Sequence, residues 1–387
     1  MLKFKKLDIS KIYNLPREIK FCKTCIVSNQ RPRIKFNKDG ICNACLNTEY
    51  KQKINWSERK IELKDLLSKY RKKNGKFDVI VPSSGGKDSS IVAHKLKYEH
   101  NMNPLTVTWA PHIYTDIGYE NFQSLIHSGL TNILCTPNGI VHRKLTKESL
   151  IEIGDPFQPF IYGQISFPLK VALQYNISLI MDGENGELEY GGNSKSPEES
   201  FSYKDEVKYW LSNFEAKKWL KKGFTKKDMD IYFPPSIDDI DSKKIIRKFW
   251  SCYNFWSPQE NYYYAFKNTG FKANPEGRSE GTYSKYASID DAIDGFHYYF
   301  MFLKFGIGRA TSDAAQEVRE KHISREEAVK LVRKYNGEFP KKYYKKILEY
   351  CNLSDNEFDQ ICERWRANHL WTRNNNNGKW KLKYQVI

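Results

Sequence analysis

VPSSGGKDSS, residues 81–90, sets two adjacent glycines, a lysine, an aspartate and four serines side by side. Before it runs Phe77-Asp78-Val79-Ile80-Val81, a short apolar stretch of the kind that forms a buried strand. After it, Ile91, Val92 and Leu96 fall near helical spacing, so Ser89 to about Glu99 reads as an amphipathic helix. The segment is therefore strand, loop, helix. Gly85 and Gly86 permit positive φ and close backbone approach, and the loop amides at a helix N-terminus form a concave anion site. Serine hydroxyls and Lys87 add donors suited to phosphate oxygens.

A Walker A loop would read G-x-x-x-x-G-K-[ST]; here Val81 stands in place of the first glycine and Asp88 follows the lysine. The run S-G-G-x-D-S instead resembles the signature of the ATP pyrophosphatases, the PP-loop or adenine-nucleotide α-hydrolase-like family. That resemblance implies a loop gripping the β and γ phosphates, attack on the α phosphate, release of pyrophosphate and an adenylated acceptor. Ser83, Ser84, Gly85, Gly86, Lys87, Asp88 and Ser89 are the expected nucleotide contacts.

The chain has 387 residues, enough for two or three domains, and carries 63 basic against 46 acidic residues, a net charge of +17. Such a balance attracts either nucleic acid or small anions such as ATP and nucleotide sugars. No apolar run approaches membrane-spanning length and the start, MLKFKKLDIS, lacks an apolar signal core, so a cytoplasmic protein without a membrane partner is expected. Four of the eight cysteines form two C-x-x-C pairs, Cys22/Cys25 and Cys42/Cys45. Four thiolates at that spacing suit a closed tetrahedral Zn²⁺ site, with an iron–sulfur cluster as the alternative; a closed site has no open position for catalysis. Cys135, Cys252, Cys351 and Cys362 stand apart and read as small apolar groups.

Downstream, strand-like Leu105–Trp109, helix-like 118–128, strand-like 132–135, helix-like Phe167–Tyr175 and strand-like Ile177–Met181 alternate. That order predicts an α/β fold: a doubly wound parallel sheet of the PP-loop type, with a zinc-knuckle module before it and a helical region after it. The expected divisions are a four-cysteine zinc module over 1–55, the ATP pyrophosphatase domain over 56–195 and a helical insertion over 196–255. A substrate- or nucleotide-contacting region over 256–335 and a helical C-terminal region over 336–387 follow. Ligands of such sheets bind past the carboxyl ends of the strands. Thr108 and Trp109 end the second strand and are expected at the adenine. DGENGELEYGGN, residues 182–193, follows the fourth strand and is too rich in glycine and carboxylate to read as a packed element. Gly183 and Glu184 are expected at the nucleotide or a Mg²⁺ ion, with Asp88 as the other metal ligand. Arg278 and Arg309 suit phosphate or carboxylate.

Over roughly residues 20–335 the chain also resembles a narrower family, the bacterial N-acetyl sugar amidotransferases of surface-polysaccharide and flagellin sugar pathways. The paired C-x-x-C module, PSSGGKDSS (82–90), DGENGELEYGG (182–192), RSEGTYSKYASIDDAIDGFHYYF (278–300) and KFGIGRATSDAAQEVR (304–319) carry that likeness. It implies conversion of an acetamido to an acetamidino group on a sialic-acid-like or uronic acid sugar. Lys87, Asp88 and Arg309 would serve catalysis, and Glu187, Glu189, Tyr190, Arg278 and His297 the substrate. ATP, Mg²⁺ and Zn²⁺ are the implied cofactors. Neither a G-x-C-x-G elbow nor an N-terminal cysteine occurs, since the chain opens Met1-Leu2, so a separate glutaminase subunit is expected to supply ammonia. The competing enzyme class is a tRNA thiolase, which needs a reactive cysteine near the nucleotide; Cys135 at a strand end is the candidate. A zinc-bearing regulator that binds ATP without turnover is the non-enzymatic alternative. Nucleic acid is the disfavoured partner, and the sequence leaves the sugar and the oligomeric state open.

Overall fold

The computed structural model describes residues 4–192, 216–373 and 378–387. Five strands form one parallel sheet: β1 (Val79–Pro82), β2 (Pro104–Trp109), β3 (Thr131–Cys135), β4 (Leu179–Asp182) and β5 (Ile246–Phe249), in the order β3-β2-β1-β4-β5. Ile80 faces Leu105 on one side and Ile180 on the other. The central strands are apolar throughout because both faces are covered. Val79, Val81, Leu179 and Met181 pack on Leu63, Val92, Leu96 and Leu125. Ile80, Ile180, Leu105 and Val107 pack on Leu169, Val171 and Ala172 on the opposite face. Helices Trp56–Tyr70, Lys87–Tyr98 and Asp116–His127 thus lie on one face and Gln158–Tyr175 on the other. The sheet is doubly wound. Strand order reverses between β1 and β4, which opens a crevice at their carboxyl ends.

Three local expectations change. The helix expected from Phe167 begins at Gln158, with Pro168 inside it; a proline in mid-run reads as a boundary, but buried Phe160, Tyr162 and Ile165 hold the turns before it. Residues 139–153 form a further helix that the sequence pattern does not mark, capped by the Asn138 side chain and ended by Gly154 in the left-handed region. The stretch 196–255 is not a purely helical insertion, because Ile246–Phe249 supplies the edge strand β5 beside β4. Much of its first half, including Trp210, lies outside the described residues, as do Asn193 and the 374–377 asparagine run.

The expected terminal modules do not stand apart either. Ile9, Ile26 and the four clustered cysteines share one core with Phe296, Phe300, Ile347, Phe358 and Trp365. Residues from 1–55, 256–335 and 336–387 therefore bury apolar surface against one another, and the Trp365 indole donates to the Ile151 carbonyl at 3.1 Å. No helix among the described residues is long and apolar enough to cross a membrane.

Candidate active site

The β1–helix turn is built from constraints within the chain. Gly85 has φ +89°, and a Cβ there would stand 2.6 Å from the Phe122 Cα, so only glycine fits. The Ser83 hydroxyl meets Ser89 Oγ at 2.8 Å across the turn, and Ser90 is buried beneath it. Gly86 precedes helix Lys87–Tyr98, whose N-terminal amides and dipole face the same space. That space is a cavity of about 620 Å³ on the β1/β4 crevice, within the range of small-molecule sites. Ser83, Ser84, Gly85, Gly86, Lys87, Asp88 and Ser89 all line it.

Across the crevice, the segment after β4 supplies Gly183, Glu184 and Glu187. Asp88 accepts from Asn261 Nδ2 at 2.9 Å and pairs with Lys87, while Glu184 accepts from the Trp256 indole at 2.8 Å. Burial, then repulsion from Asp88 and Glu189, pushes the Glu184 carboxyl up to about 7. Two carboxylates thus face each other across a site lined with phosphate-type donors. A divalent cation with carboxylate and phosphate ligands relieves that kind of repulsion, so the donor set fits Mg²⁺.

The cavity has an apolar end. Val107, Trp109, Phe157, Phe160 and Ile165 line it, and the Trp109 ring lies against Gly163 so closely that a Cβ there would overlap it. Its third wall comes from the 286–294 segment: Tyr286, Asp290 and Asp294. Burial, followed by repulsion from Asp294 and Asp291, pushes Asp290 up to about 6, and Ser84 of the loop hydrogen-bonds it. Gly118 permits this approach, since a Cβ would meet the Asp290 Cα at 2.5 Å. Arg309 heads helix Arg309–Arg319 and reaches the cavity with its guanidinium over the Tyr298 ring and its Nε on Asp313 at 3.0 Å.

Of the residues expected from sequence, four do not line this cavity. The Thr108 hydroxyl is turned to the Ser83 carbonyl and holds the loop from below. Glu189 is 4% exposed and paired with Lys51 Nζ at 2.9 Å. Arg278 pairs with Glu338 at 2.7 Å and stacks on Tyr335, lining a second cavity of about 370 Å³. His297 Nδ1 bonds Asp155 at 2.9 Å. The 182–192 segment is also packed, contrary to expectation. It contains the short helix Gly186–Glu189, with Glu187 only 3% exposed. Its carboxylates are buried because cations from the cysteine module meet them: Arg33 on Glu187 and Lys51 on Glu189. Asn43 Nδ2 donates to the Gly192 carbonyl at 2.7 Å, and Gly191 takes φ +78° against Asn43 and Ile34.

Sequence reasoning missed Arg31, Arg33, Arg247, Asn261, Tyr286, Asp290 and Asp294 at this site. The repeated aspartates of SIDDAID were a usable signal; the arginines lie far from the loop in sequence and carried none.

The four cysteine sulfurs lie within 4.8 Å of one another, all buried, with Cys22–Cys45 and Cys25–Cys42 each at 3.8 Å. A tetrahedron of thiolates about 2.3 Å from one ion has edges of ~3.8 Å, so the spacing fits a single Zn²⁺. It is too wide for disulfides and too tight for the sulfurs around a polynuclear iron–sulfur cluster. Cys135 does not line the crevice cavity, and burial pushes its thiol up to about 11.

Residues 280–386 match the family model described as LPS biosynthesis protein WbpG-like, C-terminal domain. An uncharacterised protein of Methanocaldococcus jannaschii is 35% identical over 88 residues, covering 22% of this chain and 31% of that protein. The matched stretch thus spans less than a third of the relative's own length. Among solved structures, an NH3-dependent NAD synthetase from Campylobacter jejuni aligns at 16% identity with a TM-score of 0.30, over 49% of this chain and 94% of that one.

Proposed function

We propose that this chain is an ATP-dependent amidotransferase that converts an acetamido group of a bacterial surface sugar, sialic-acid-like or uronic, to acetamidino. The observation that carries the reading is the Ser83–Ser89 loop at the strand-order reversal, opening with Asp88 and Glu184 onto one cavity. The WbpG-like match over 280–386 supports a role in lipopolysaccharide sugar chemistry.

The chemistry divides into two displacements. An amide carbonyl is a poor electrophile and its oxygen a poor leaving group, so the oxygen is activated first. A lone pair of the amide oxygen forms a bond to the α phosphorus, the bond from that phosphorus to the bridging oxygen breaks, and the amide N–H proton is lost. The products are an O-adenylyl imidate and pyrophosphate. Ammonia nitrogen then bonds to the activated carbon, the C–O bond breaks, and AMP leaves with the former amide oxygen. The loop amides and Lys87 hold the pyrophosphate as it forms, and Arg309 adds positive charge to the same cavity. Asp88 and Glu184 would hold Mg²⁺, which neutralises phosphate charge when bound. The apolar bay at Trp109 takes the adenine. Asp290, pushed up to about 6, is placed beside Ser84 to accept the proton released as nitrogen adds. Closure of the wall by 286–294 keeps water from the adenylate, whose hydrolysis would only restore the amide.

Zinc at the cysteine cluster is structural in this account, and ammonia comes from a separate glutaminase subunit. A thiolase reading draws no support from the site, because among the described residues no cysteine lines the cavity. The reading is tested with the purified chain, ATP, Mg²⁺, ammonium and a panel of acetamido sugars. Pyrophosphate release coupled to a sugar product about one mass unit lighter is the expected result. Release of phosphate and ADP, or no sugar-dependent turnover across the panel, would contradict it.

A further inference from the structure

The cysteine module does more than pack. Between its two C-x-x-C pairs, Arg31 and Arg33 leave the module and line the active-site cavity. Their charges are used differently. Arg33 is paired with the buried Glu187 carboxylate through both Nε, at 3.2 Å, and a terminal nitrogen. Arg31 donates its Nε to the Gly191 carbonyl at 3.2 Å and lies 5.7 Å from the Tyr190 ring centre. Among the described residues, no carboxylate lies within ion-pair distance of Arg31, and its terminal nitrogens have no hydrogen-bond partner. Glu187, the one carboxylate placed to neutralise it, is already neutralised by Arg33. A guanidinium held by its Nε near a ring keeps both terminal nitrogens for an acceptor, and that planar fork can take a carboxylate with two parallel bonds. Burial and the neighbouring positive Arg33 weigh against that charge, and Glu187 only partly offsets them. An arriving anion completes the balance.

Which anion? The triphosphate has its own donors in the Ser83–Ser89 loop, and the Glu184 carboxylate stands on the segment between that loop and Tyr190. Arg31 therefore faces the other reactant. We infer that Arg31 is the specificity-determining residue that pairs with a carboxylate of the sugar, with Arg33–Glu187 and Gly191 as the groups that position it. This rests on the reading of the cavity as a sugar amidotransferase site and adds to it that the cysteine module forms the acid-selecting wall.

The test is calorimetry on the full zinc-loaded chain with Mg²⁺ and a non-hydrolysable ATP analogue, titrated with N-acetylneuraminic acid and with its methyl ester. Wild-type protein should bind the acid about tenfold or more tighter than the ester, the scale of a lost charge-assisted bidentate contact. Arg31→Gln should bring the two to the same affinity, and Arg31→Lys should recover part of the difference. The affinity for the ATP analogue should stay within about twofold in all three. Arg33→Ala frees Glu187 to pair with Arg31 and should also erode the preference, which a purely local role for Arg31 would not produce. Equal binding of acid and ester by wild type, no binding of the acid, or loss of ATP-analogue affinity in Arg31→Gln would each overturn the assignment. The amidotransferase reading fails by a different result, absent sugar-dependent pyrophosphate release, and the binding comparison needs no turnover.

Discussion

Between pH 4.5 and about 7 the folded chain holds a proton on Glu184 that the unfolded chain gives up, because burial first and then Asp88 and Glu189 raise its carboxyl from an ordinary 4.5. A raised acid stabilises the fold below its unfolded pKa, and that contribution is lost as pH rises through the folded value. In zinc-loaded protein without added Mg²⁺, wild-type thermal stability should therefore fall relative to Glu184→Gln between pH 4.5 and 7.5. The difference between the two proteins isolates Glu184 from Asp290, which titrates in both. Mg²⁺ should release the proton and steepen binding with rising pH over the same window; a Glu184→Gln difference that does not vary with pH would contradict this. Lys87→Ala should lower the rate of pyrophosphate release by about 10²–10³, the range for removing one preorganised donor from a developing anion. Circular dichroism should show an intact fold, since the lysine head faces the cavity rather than a core cluster. At this scale the sequence was most informative where function is local: the whole of Ser83–Ser89 could be read from ten consecutive residues. Arg31 could not, because it reaches the same cavity only through long-range packing; the aspartate run around Asp290 gave a signal, but not its place beside Ser84.

At the scale of elements, the segment after β4 shows what a sequence pattern leaves out. Its carboxylates and glycines suggest a solvated loop, yet it folds into a packed plug because Arg33, Lys51 and Asn43 of the cysteine module satisfy it. Gly192 is there for contact, since a Cβ on it would stand 2.0 Å from a Glu187 oxygen, while Gly191 supplies a positive φ. The edge strand β5 was equally hidden. Ile246–Phe249 is only half-buried and includes Arg247 and Lys248, so it lacks the apolar run that marked β1 and β4. The consequence for the module is testable. Cys22→Ser should remove bound zinc, lower the thermal midpoint by more than about 5 °C, and raise the KM for sugar more than the KM for ATP. Elemental analysis and a melting curve check the first two. An unchanged KM for sugar in protein that has lost its zinc would detach the module from the site.

At the scale of the whole molecule, the two ends of the described chain meet beside one parallel sheet: the N-terminal cysteines and the C-terminal helices share a core, while Arg31 of the cysteine module and Arg309 of helix Arg309–Arg319 border the cavity. Fold class was legible because strand–helix alternation is a local rhythm, whereas the shared core depends on contacts hundreds of residues apart. With nitrogen as the attacking atom, Cys135→Ala should keep most activity, since its thiol lies outside the cavity. Free ammonium should suffice for turnover and glutamine should serve only when a glutaminase is added. Efficient glutamine use by the purified chain would remove the need for a partner. The central claim is that the amide oxygen attacks the α phosphate, and an isotope reports it directly. An acetamido sugar labelled with ¹⁸O in its acetyl carbonyl, turned over with ATP, Mg²⁺ and ammonium, should transfer the label to AMP and leave the sugar product without it. Label retained in the sugar product, or appearing in inorganic phosphate beside ADP, would contradict adenylation of the amide.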